Sequence, residues 1–216
     1  MKSPTPSIRL DSGLAIGYTA PLATFEKSVE LGGGTHFLLA RNGRGKSTLL
    51  RTIAGSLKAL TGDYCVDGYM QYLPEDMRFD PEVTPKGILK ALLPKSRQEA
   101  AFALADRIEL DVNKIYGRLS TGNRRKTALI MAEYSVKPDC GNILLLDEPF
   151  SGLDAFAREA FEEMWNSSDK NVLRLVSCHP DYDAMVMPSV LLIEGANISH
   201  HSGADQNWSG LKALLN

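Results

Sequence analysis

The sequence lacks the features of membrane-spanning, secreted and disulfide-stabilised proteins. No apolar run approaches the ~18 residues that indicate a membrane span. Residues 1–6 are polar and turn-rich and contain no apolar core of the kind found in a signal peptide. The three cysteines are widely separated, and their spacing fits neither a metal site nor a disulfide framework. These absences predict a cytoplasmic protein, so any contact with a membrane would run through another chain.

An excess of one charge is also absent. The chain has 24 Lys and Arg against 26 Asp and Glu, a net charge of −2. It therefore has no overall basic surface for nucleic acid, and no nucleic-acid partner is expected. Hydrophobic residues make up 44% of the 216 residues, an ordinary value for a soluble globular protein. The length fits one large domain, or one domain with a small insertion.

A glycine-rich segment, Ala-Arg-Asn-Gly-Arg-Gly-Lys-Ser-Thr, occupies residues 40–48. It follows a short apolar strand pattern and opens a helix pattern. Gly43 and Gly45 let the backbone turn so that its amide N–H groups point at phosphate oxygens. Lys46 would then reach the β- and γ-phosphates, and Ser47 would offer its hydroxyl to magnesium. The segment predicts a binding loop for a nucleoside triphosphate.

This loop departs from the usual pattern at its first position. The pattern normally begins with glycine, and here Ala40 stands in its place. A methyl group is tolerable there only where the backbone has a negative φ. We therefore expect Ala40 to have φ below zero.

Two carboxylates follow an apolar run at residues 143–146. Such a run is typical of a strand that is buried on both faces. Asp147 would lie at the carboxyl end of this strand, where α/β sheets bind ligands, and would hold magnesium through water. Glu148 comes next and can orient and polarise a water that attacks the γ-phosphate.

Strand and helix patterns alternate along the chain and predict an α/β fold with a mainly parallel sheet. Strands are predicted at 8–10, 15–18, 25–31, 35–39, 70–73, 143–146, 172–177 and 190–194. Helices are predicted at 46–54, 121–135 and 155–165, together with a helical stretch, 75–118, that is broken by prolines. The end of the chain predicts a short tail or a terminal helix.

Several further motifs identify a family. Leu-Ser-Thr-Gly-Asn at 119–123 matches the signature usually written LSGGQ, and Ser-Gly-Leu-Asp at 151–154 matches the D-loop. Together with the phosphate loop and the carboxylates, they make the chain resemble the ABC-type ATPases, the nucleotide-binding subunits of ABC transporters, from about residue 8 to 199. In this resemblance His179 is the switch histidine, and Tyr18 is the aromatic residue that stacks on adenine.

The resemblance implies a P-loop NTPase core with an N-terminal antiparallel β part and an inserted α-helical subdomain. It implies one domain over 1–216, with a core at 1–74 and 119–200, the subdomain at 75–118 and a tail at 201–216. The implied ligands are ATP and Mg²⁺. The implied catalytic residues are Lys46, Glu148 and His179, and the metal ligands are Ser47, Asp147 and Glu75. The implied nucleotide-binding residues are Tyr18, Asn42, Gly43, Arg44, Gly45, Lys46, Ser47, Thr48, Ser120, Gly122 and Asp154.

The signature has a simple physical reading. Ser120 can cap a helix whose free N–H groups and dipole attract anions, and Gly122 would let a phosphate approach the backbone. The resemblance implies that two chains pack head to tail, with ATP between the phosphate loop of one and the signature of the other. Such an interface is isologous, as in a two-fold dimer, with itself or a homologous subunit.

Two departures affect the family reading. Glu75 stands where the family usually has glutamine after a Leu-Pro pair. Its carboxylate could bind magnesium, or its charge near the γ-phosphate could slow turnover. Thr121 and Asn123 replace the Gly and Gln of the signature, for which we expect a weaker effect.

Three functions remain open at this point. The first is the ATPase subunit of a membrane transporter, similar in size to small exporter ATPases and peripheral on the cytoplasmic face, with the permease on a separate chain. The second is a soluble ABC ATPase that remodels a cytosolic assembly, as in iron–sulfur biogenesis, and the third is a regulatory ATP-binding module. The 73 residues from Lys46 to Leu119 leave no room for a coiled-coil arm. Apolar residues of the helical stretch either line a groove for the permease or fill the subdomain's own core; these are Met77, Phe79, Val83, Leu89 and Leu92.

Overall fold

The computed structural model describes residues 5–167, 170–178 and 185–214. The strands follow one another along the chain in the order β1 to β11. They are β1 (Ser7–Leu10), β2 (Ala15–Gly17), β3 (Pro21–Phe25), β4 (Val29–Leu31), β5 (Gly34–Ala40), β6 (Tyr64–Asp67), β7 (Tyr69–Leu73), β8 (Asn142–Asp147), β9 (Val172–Ser177), β10 (Ser189–Glu194) and β11 (Asn197–Ser202). The helices are α1 (Lys46–Ile53), α2 (Pro85–Leu92), α3 (Lys95–Arg107), α4 (Thr121–Tyr134), α5 (Ala155–Asn166) and α6 (Trp208–Lys212).

The chain forms two compact units. The first comprises Met1–Tyr72, Asp139–Glu148 and Asp169–Asn216, and the second comprises Leu73–Pro138 and Pro149–Ser168. The second unit therefore takes in α4 and α5 as well as the helices of the 75–118 stretch.

The main sheet has the strand order β2-β3-β11-β10-β5-β9-β8-β7. At its centre β5 lies parallel to both β10 and β9, and β8 lies parallel to β9. This arrangement confirms the predicted α/β fold with a mainly parallel sheet. Strand β8 is buried along its whole length, as its apolar run predicts. Because β5 and β8 point the same way, the phosphate loop and the two carboxylates emerge at the same edge of the sheet.

The N-terminal part is antiparallel, as expected. Strands β4, β1 and β6 form a small antiparallel sheet, and β2 pairs antiparallel with β3 at the edge of the main sheet. A single apolar core joins these strands to the main sheet and to α1. Among its fully buried members are Ile8, Phe25, Leu49, Leu145 and Leu175.

Some sequence predictions were wrong in detail. The strand predicted at 25–31 is two strands, β3 and β4, because the chain turns at 26–28 between them. Strands β6 and β11 were not predicted. β11 pairs antiparallel with β10, but its sequence is almost entirely polar and only Ile198 is buried. An exposed strand of this kind carries no alternating apolar pattern, so only its pairing with β10 and β3 defines it.

In the second unit, Thr84 caps α2, and its hydroxyl accepts a hydrogen bond from the Gly87 amide at 3.1 Å. A small core of Ile88, Tyr116 and Leu119 is packed with Phe79.

The candidates for a permease groove divide between core and surface. Leu89 is fully buried and Phe79 belongs to the small core, whereas Val83 is 37% and Leu92 53% exposed. None of the helices in the described part of the chain is both long and apolar enough to cross a membrane.

Candidate nucleotide-binding site

The loop between β5 and α1 has the backbone that the glycines predict. Gly43 and Gly45 have φ of 75° and 107°, in the left-handed region that favours glycine. Gly45 immediately precedes α1 and has no side chain with which to cap it, so no capping side chain occupies the first amide groups of the helix. Ala40 ends β5 without a positive φ, which confirms the expectation for this position.

The lysine of this loop lies against the predicted general base. Lys46 is almost completely buried, and its Nζ lies 3.2 Å from Oε1 of Glu148. The same Nζ donates to the carbonyl oxygen of Ala40 at 3.3 Å. The structure thus brings together two of the three predicted catalytic residues. The third, His179, lies outside the described residues.

Both carboxylate oxygens of Asp147 accept hydrogen bonds. Only 1% of this residue is exposed. Its Oδ1 accepts a hydrogen bond from the Ser177 hydroxyl at 2.7 Å, and its Oδ2 accepts a longer one from the Tyr72 hydroxyl at 3.3 Å. Burial raises the pKa of the Tyr72 phenol, so the phenol keeps its proton and acts as the donor.

Glu148 has an unusual backbone. Its φ is 46°, a left-handed conformation that is uncommon for a residue other than glycine and costs about 1–2 kcal/mol. Its amide N–H donates to Oγ of Ser177 at 2.9 Å. Strain of this kind clusters at functional sites, where surrounding contacts hold it in place.

The residues at this edge fit a magnesium ion. Ser47 offers a hydroxyl and Asp147 a carboxylate, the oxygen donors that Mg²⁺ prefers. Within residues 5–167, 170–178 and 185–214, no group of three or more His, Cys, Asp or Glu could hold a metal. Mg²⁺ usually binds through one or two protein carboxylates together with substrate phosphates.

The third predicted ligand, Glu75, is exposed and belongs to the second unit. There it lines a cavity of about 180 Å³ together with Asp76, Arg78, Arg124 and Arg125. Its role as a magnesium ligand stays a prediction.

Tyr18 presents a free ring surface. It is 58% exposed, and its hydroxyl accepts a hydrogen bond from Arg51 at 3.4 Å. Hydrogen bonds with Tyr72 and Tyr18 raise the pKa of Arg51 above its usual value. An exposed aromatic face that is fixed at its hydroxyl end suits stacking against a base.

In the second unit, the signature begins a helix as predicted. Ser120 caps α4, and its Oγ accepts from the Asn123 amide at 3.2 Å. Gly122 has a structural reason to be glycine, because a Cβ there would lie 2.4 Å from the carbonyl oxygen of Gly152. The predicted role of Gly122, letting a phosphate approach, is therefore not needed to explain the residue.

A buried lysine joins the signature helix to the D-loop. Lys126 donates from Nζ to the carbonyl of Ile108 and to Oδ2 of Asp154, both at 2.8 Å. Asp154 also caps α5, where its Oδ1 accepts from the Ala157 amide at 2.7 Å. The hydrogen bond from Lys126, followed by that from Ala157, lowers the pKa of the Asp154 carboxyl.

Sequence reasoning missed the partners that hold these motifs. Ser177 and Tyr72 come from β9 and β7, and their contact with Asp147 depends on the order of strands in the sheet. Lys126 lies three residues after the signature, but its buried position becomes apparent only once the helices are packed.

Comparison with known proteins defines the family. The profile of the family described as ABC transporter matches residues 28–151. The chain belongs to the ABC transporter family. This ABC transporter chain is 34% identical over 177 residues to the aliphatic sulfonates import ATP-binding protein SsuB of Albidiferax ferrireducens, an alignment that covers 75% of the chain and 62% of that relative. It is 28% identical over 195 residues to the thiamine import ATP-binding protein ThiQ of Shigella flexneri, over 80% of the chain and 82% of the relative.

Solved structures share the fold of this ABC transporter chain. A structure described as the ATP binding subunit of an ABC transporter superposes with a TM-score of 0.74 at 20% identity, over 98% of this chain and 99% of the other. The ABC transporter chain spans less than two thirds of the length of the sulfonate relative.

Proposed function

We propose that this chain binds ATP with Mg²⁺, hydrolyses it and thereby powers a membrane transporter. The observation that carries the proposal is the 3.2 Å approach of Lys46 Nζ to Glu148 Oε1. It unites the phosphate loop with the carboxylate best placed to act on a water, next to Asp147 on β8.

Each residue at this edge has a distinct role in the proposed reaction. The loop amides and Lys46 bind the phosphates, and the fixed positive charge of Lys46 stabilises the charge that develops as the γ-phosphoryl group transfers. Glu148 orients the attacking water and accepts its proton. Mg²⁺, held through Ser47 and Asp147, would neutralise the phosphate charge.

The second unit supplies the other half of the proposed cycle. The N-terminus of α4, which Ser120 caps and which includes Gly122, is the helix end proposed to bind an anion. In a head-to-tail dimer it would close on the nucleotide of the partner chain. ATP would then join the two chains, and hydrolysis would release them.

We propose that this cycle powers transport because relatives of the chain are named as transport proteins. The sulfonate and thiamine relatives are each named an import ATP-binding protein. We therefore propose a separate membrane-spanning permease as partner and a location on the cytoplasmic face of the membrane. The exposed Val83 and Leu92 are the best candidates among the predicted groove residues.

The proposal is tested by ATP turnover of the purified chain with Mg²⁺, compared with Glu148→Gln. We expect turnover in the wild type, a loss of at least about a hundredfold in the variant because the general base is gone, and a stable ATP-bound dimer of the variant on sizing. Glu194→Gln, an exposed acid at the end of β10, is the control and should turn over as the wild type does. A wild type that binds ATP but turns over no faster than Glu148→Gln would contradict the ATPase and favour the regulatory module.

The partner is tested separately by affinity capture from a detergent extract. Recovery of a polytopic membrane protein, reduced by the double substitution Val83→Ser and Leu92→Ser, would support transport. Recovery of soluble proteins alone would favour remodelling of a cytosolic assembly.

A further inference from the structure

One buried hydroxyl contacts both carboxylate residues of the site. Ser177 ends β9, is fully buried and stands opposite Asp147 in the parallel pairing of β8 and β9. Its hydroxyl donates to Oδ1 of Asp147 at 2.7 Å, and the same oxygen accepts from the amide of Glu148 at 2.9 Å. A serine hydroxyl has one donor and two acceptor sites, so it can make both bonds at once.

The two bonds act on different properties of the site. The hydrogen bond from Ser177 to Oδ1 limits rotation of the Asp147 carboxylate. Together with the bond from Tyr72 to Oδ2, it determines which carboxylate lone pairs stay available to a metal ion. The bond to Glu148 holds an amide whose residue has φ of 46°, a conformation that the chain would otherwise leave readily. Neither Asp147 nor Glu148 can change its position without disturbing the same oxygen.

We propose that Ser177 is a positioning residue that sets the geometry of the magnesium-binding carboxylate and of the general base together. The inference rests on the proposed function, since it assigns to Asp147 and Glu148 the roles given there. Ser177 touches neither ATP nor metal in this scheme. It acts only through the two residues that it holds.

Three substitutions separate the hydroxyl from the shape of the side chain. Ser177→Ala removes the hydroxyl. Ser177→Thr keeps it and adds a methyl group, and Ser177→Val has the shape of threonine without the hydroxyl. Any cost of fitting a larger side chain is common to the Thr and Val variants, so their difference reports the hydroxyl alone. Thr52→Ala is the matched control, because Thr52 is equally buried and its hydroxyl bonds only a helix carbonyl, that of Thr48.

The first measurement is the dissociation constant of Mn²⁺, used as a paramagnetic substitute for Mg²⁺, from the chain saturated with ADP. Free Mn²⁺ is counted by electron paramagnetic resonance, and ADP affinity is measured separately in EDTA. We expect the Mn²⁺ constant to rise about tenfold or more in the Ala and Val variants, the usual effect of losing a partner of a metal ligand. The Thr variant and Thr52→Ala should stay within about threefold of the wild type. The affinity for ADP in EDTA should be the same in all variants. A general loss of structure would lower it.

The second measurement separates the two bonds. Tyr72→Phe removes the contact with Oδ2 and a hydrogen bond with Arg51 but leaves both bonds of Ser177 in place, so saturating Mg²⁺ should restore its kcat. Ser177→Ala should keep a reduced kcat at saturating Mg²⁺ because Glu148 is also released. Equal Mn²⁺ constants for wild type, Ala and Val would overturn the inference, as would a kcat of Ser177→Ala that recovers fully. A wild type that binds Mn²⁺ and ADP without hydrolysing ATP would defeat the proposed ATPase, and the Mn²⁺ constants would then still decide the role of Ser177 at Asp147. A wild type that binds no Mn²⁺ with ADP would overturn both.

Discussion

Gly122 and Gly152 approach so closely that a Cβ on Gly122 would lie 2.4 Å from the carbonyl oxygen of Gly152. The contact is between backbones, so no side-chain rotation can relieve it. The glycine of the signature is therefore a packing requirement of the second unit.

Gly122→Ala should destabilise the chain by about 1–3 kcal/mol, the usual cost of overpacking. Gly87→Ala is the matched control, because a Cβ there would lie 3.5 Å from the Thr84 hydroxyl, an ordinary contact. It should be neutral or stabilise by up to about 1 kcal/mol through helix propensity. Urea unfolding of both variants measures the difference, and equal midpoints for the two would contradict the packing argument.

Glu109 should be replaceable with a gain in stability. It lies two residues beyond α3 with φ of 55°, and the amides of Glu109 and Leu110 donate hydrogen bonds to the carbonyls of Asp106 and Ala105. This is the helix ending in which glycine is preferred. Glu109→Gly should therefore stabilise the chain by about 1 kcal/mol.

The control for this prediction has the opposite sign. Glu99 is an exposed residue in the interior of α3. Glu99→Gly should destabilise by about 0.5–1 kcal/mol, because glycine is a poor residue inside a helix. If both substitutions lowered the urea midpoint, the left-handed backbone of Glu109 would not be a cost to the stability of the chain.

The contact of Lys126 with Asp154 should make stability depend on acid pH. The pKa of the Asp154 carboxyl is lowered in the folded chain, first by Lys126 and then by the Ala157 amide. The stability that ionised Asp154 adds to the folded chain is therefore fully present above its pKa in the unfolded chain, near 3.8. This stability is lost as the pH falls through the lower pKa of Asp154 in the folded chain. Because the Asp154 side chain is 56% exposed, we expect a coupling of only about 1 kcal/mol.

A double-mutant cycle isolates that coupling. Asp154→Asn keeps a good helix cap while removing the charge, and Lys126→Met removes the cation. Urea unfolding of the wild type, the two single variants and the double variant at pH 7 should give the coupling free energy between Lys126 and Asp154. Below the pKa of Asp154 in the folded chain, this coupling free energy should vanish. A coupling that persists there would mean that the ionised carboxylate is not its source.

Tyr18 offers a test of the nucleotide base. Tyr18→Ala should weaken ATP binding about tenfold, from the 1–3 kcal/mol typical of base stacking. Tyr18→Phe keeps the ring, loses only the long contact with Arg51, and should bind within about threefold of the wild type. Titration of fluorescent ATP measures both, and equal losses for Ala and Phe would point to the hydroxyl instead.

The sequence predicts local features well and long-range partners poorly. Gly43, Gly45 and Lys46 lie in one short segment whose chemistry depends on its own backbone, so the loop could be recognised directly. Strand β11 could not be recognised, because its polar residues form a strand only through pairing with β10 and β3.

The same limit applies to the candidate site. Asp147 and Glu148 could be placed at a strand end, but Ser177 stands opposite them only because β9 lies between β5 and β8. The left-handed φ of Glu148 could not be predicted from the sequence either, because residues other than glycine rarely have a positive φ.

Lys126 also links three helices of the second unit. One ammonium group bonds the end of α3, through Ile108, and the cap of α5, through Asp154, while its own backbone belongs to α4. The signature helix and the D-loop are therefore connected through one buried side chain. A displacement of either segment relative to the other has to stretch or break the hydrogen bond between Lys126 and Asp154.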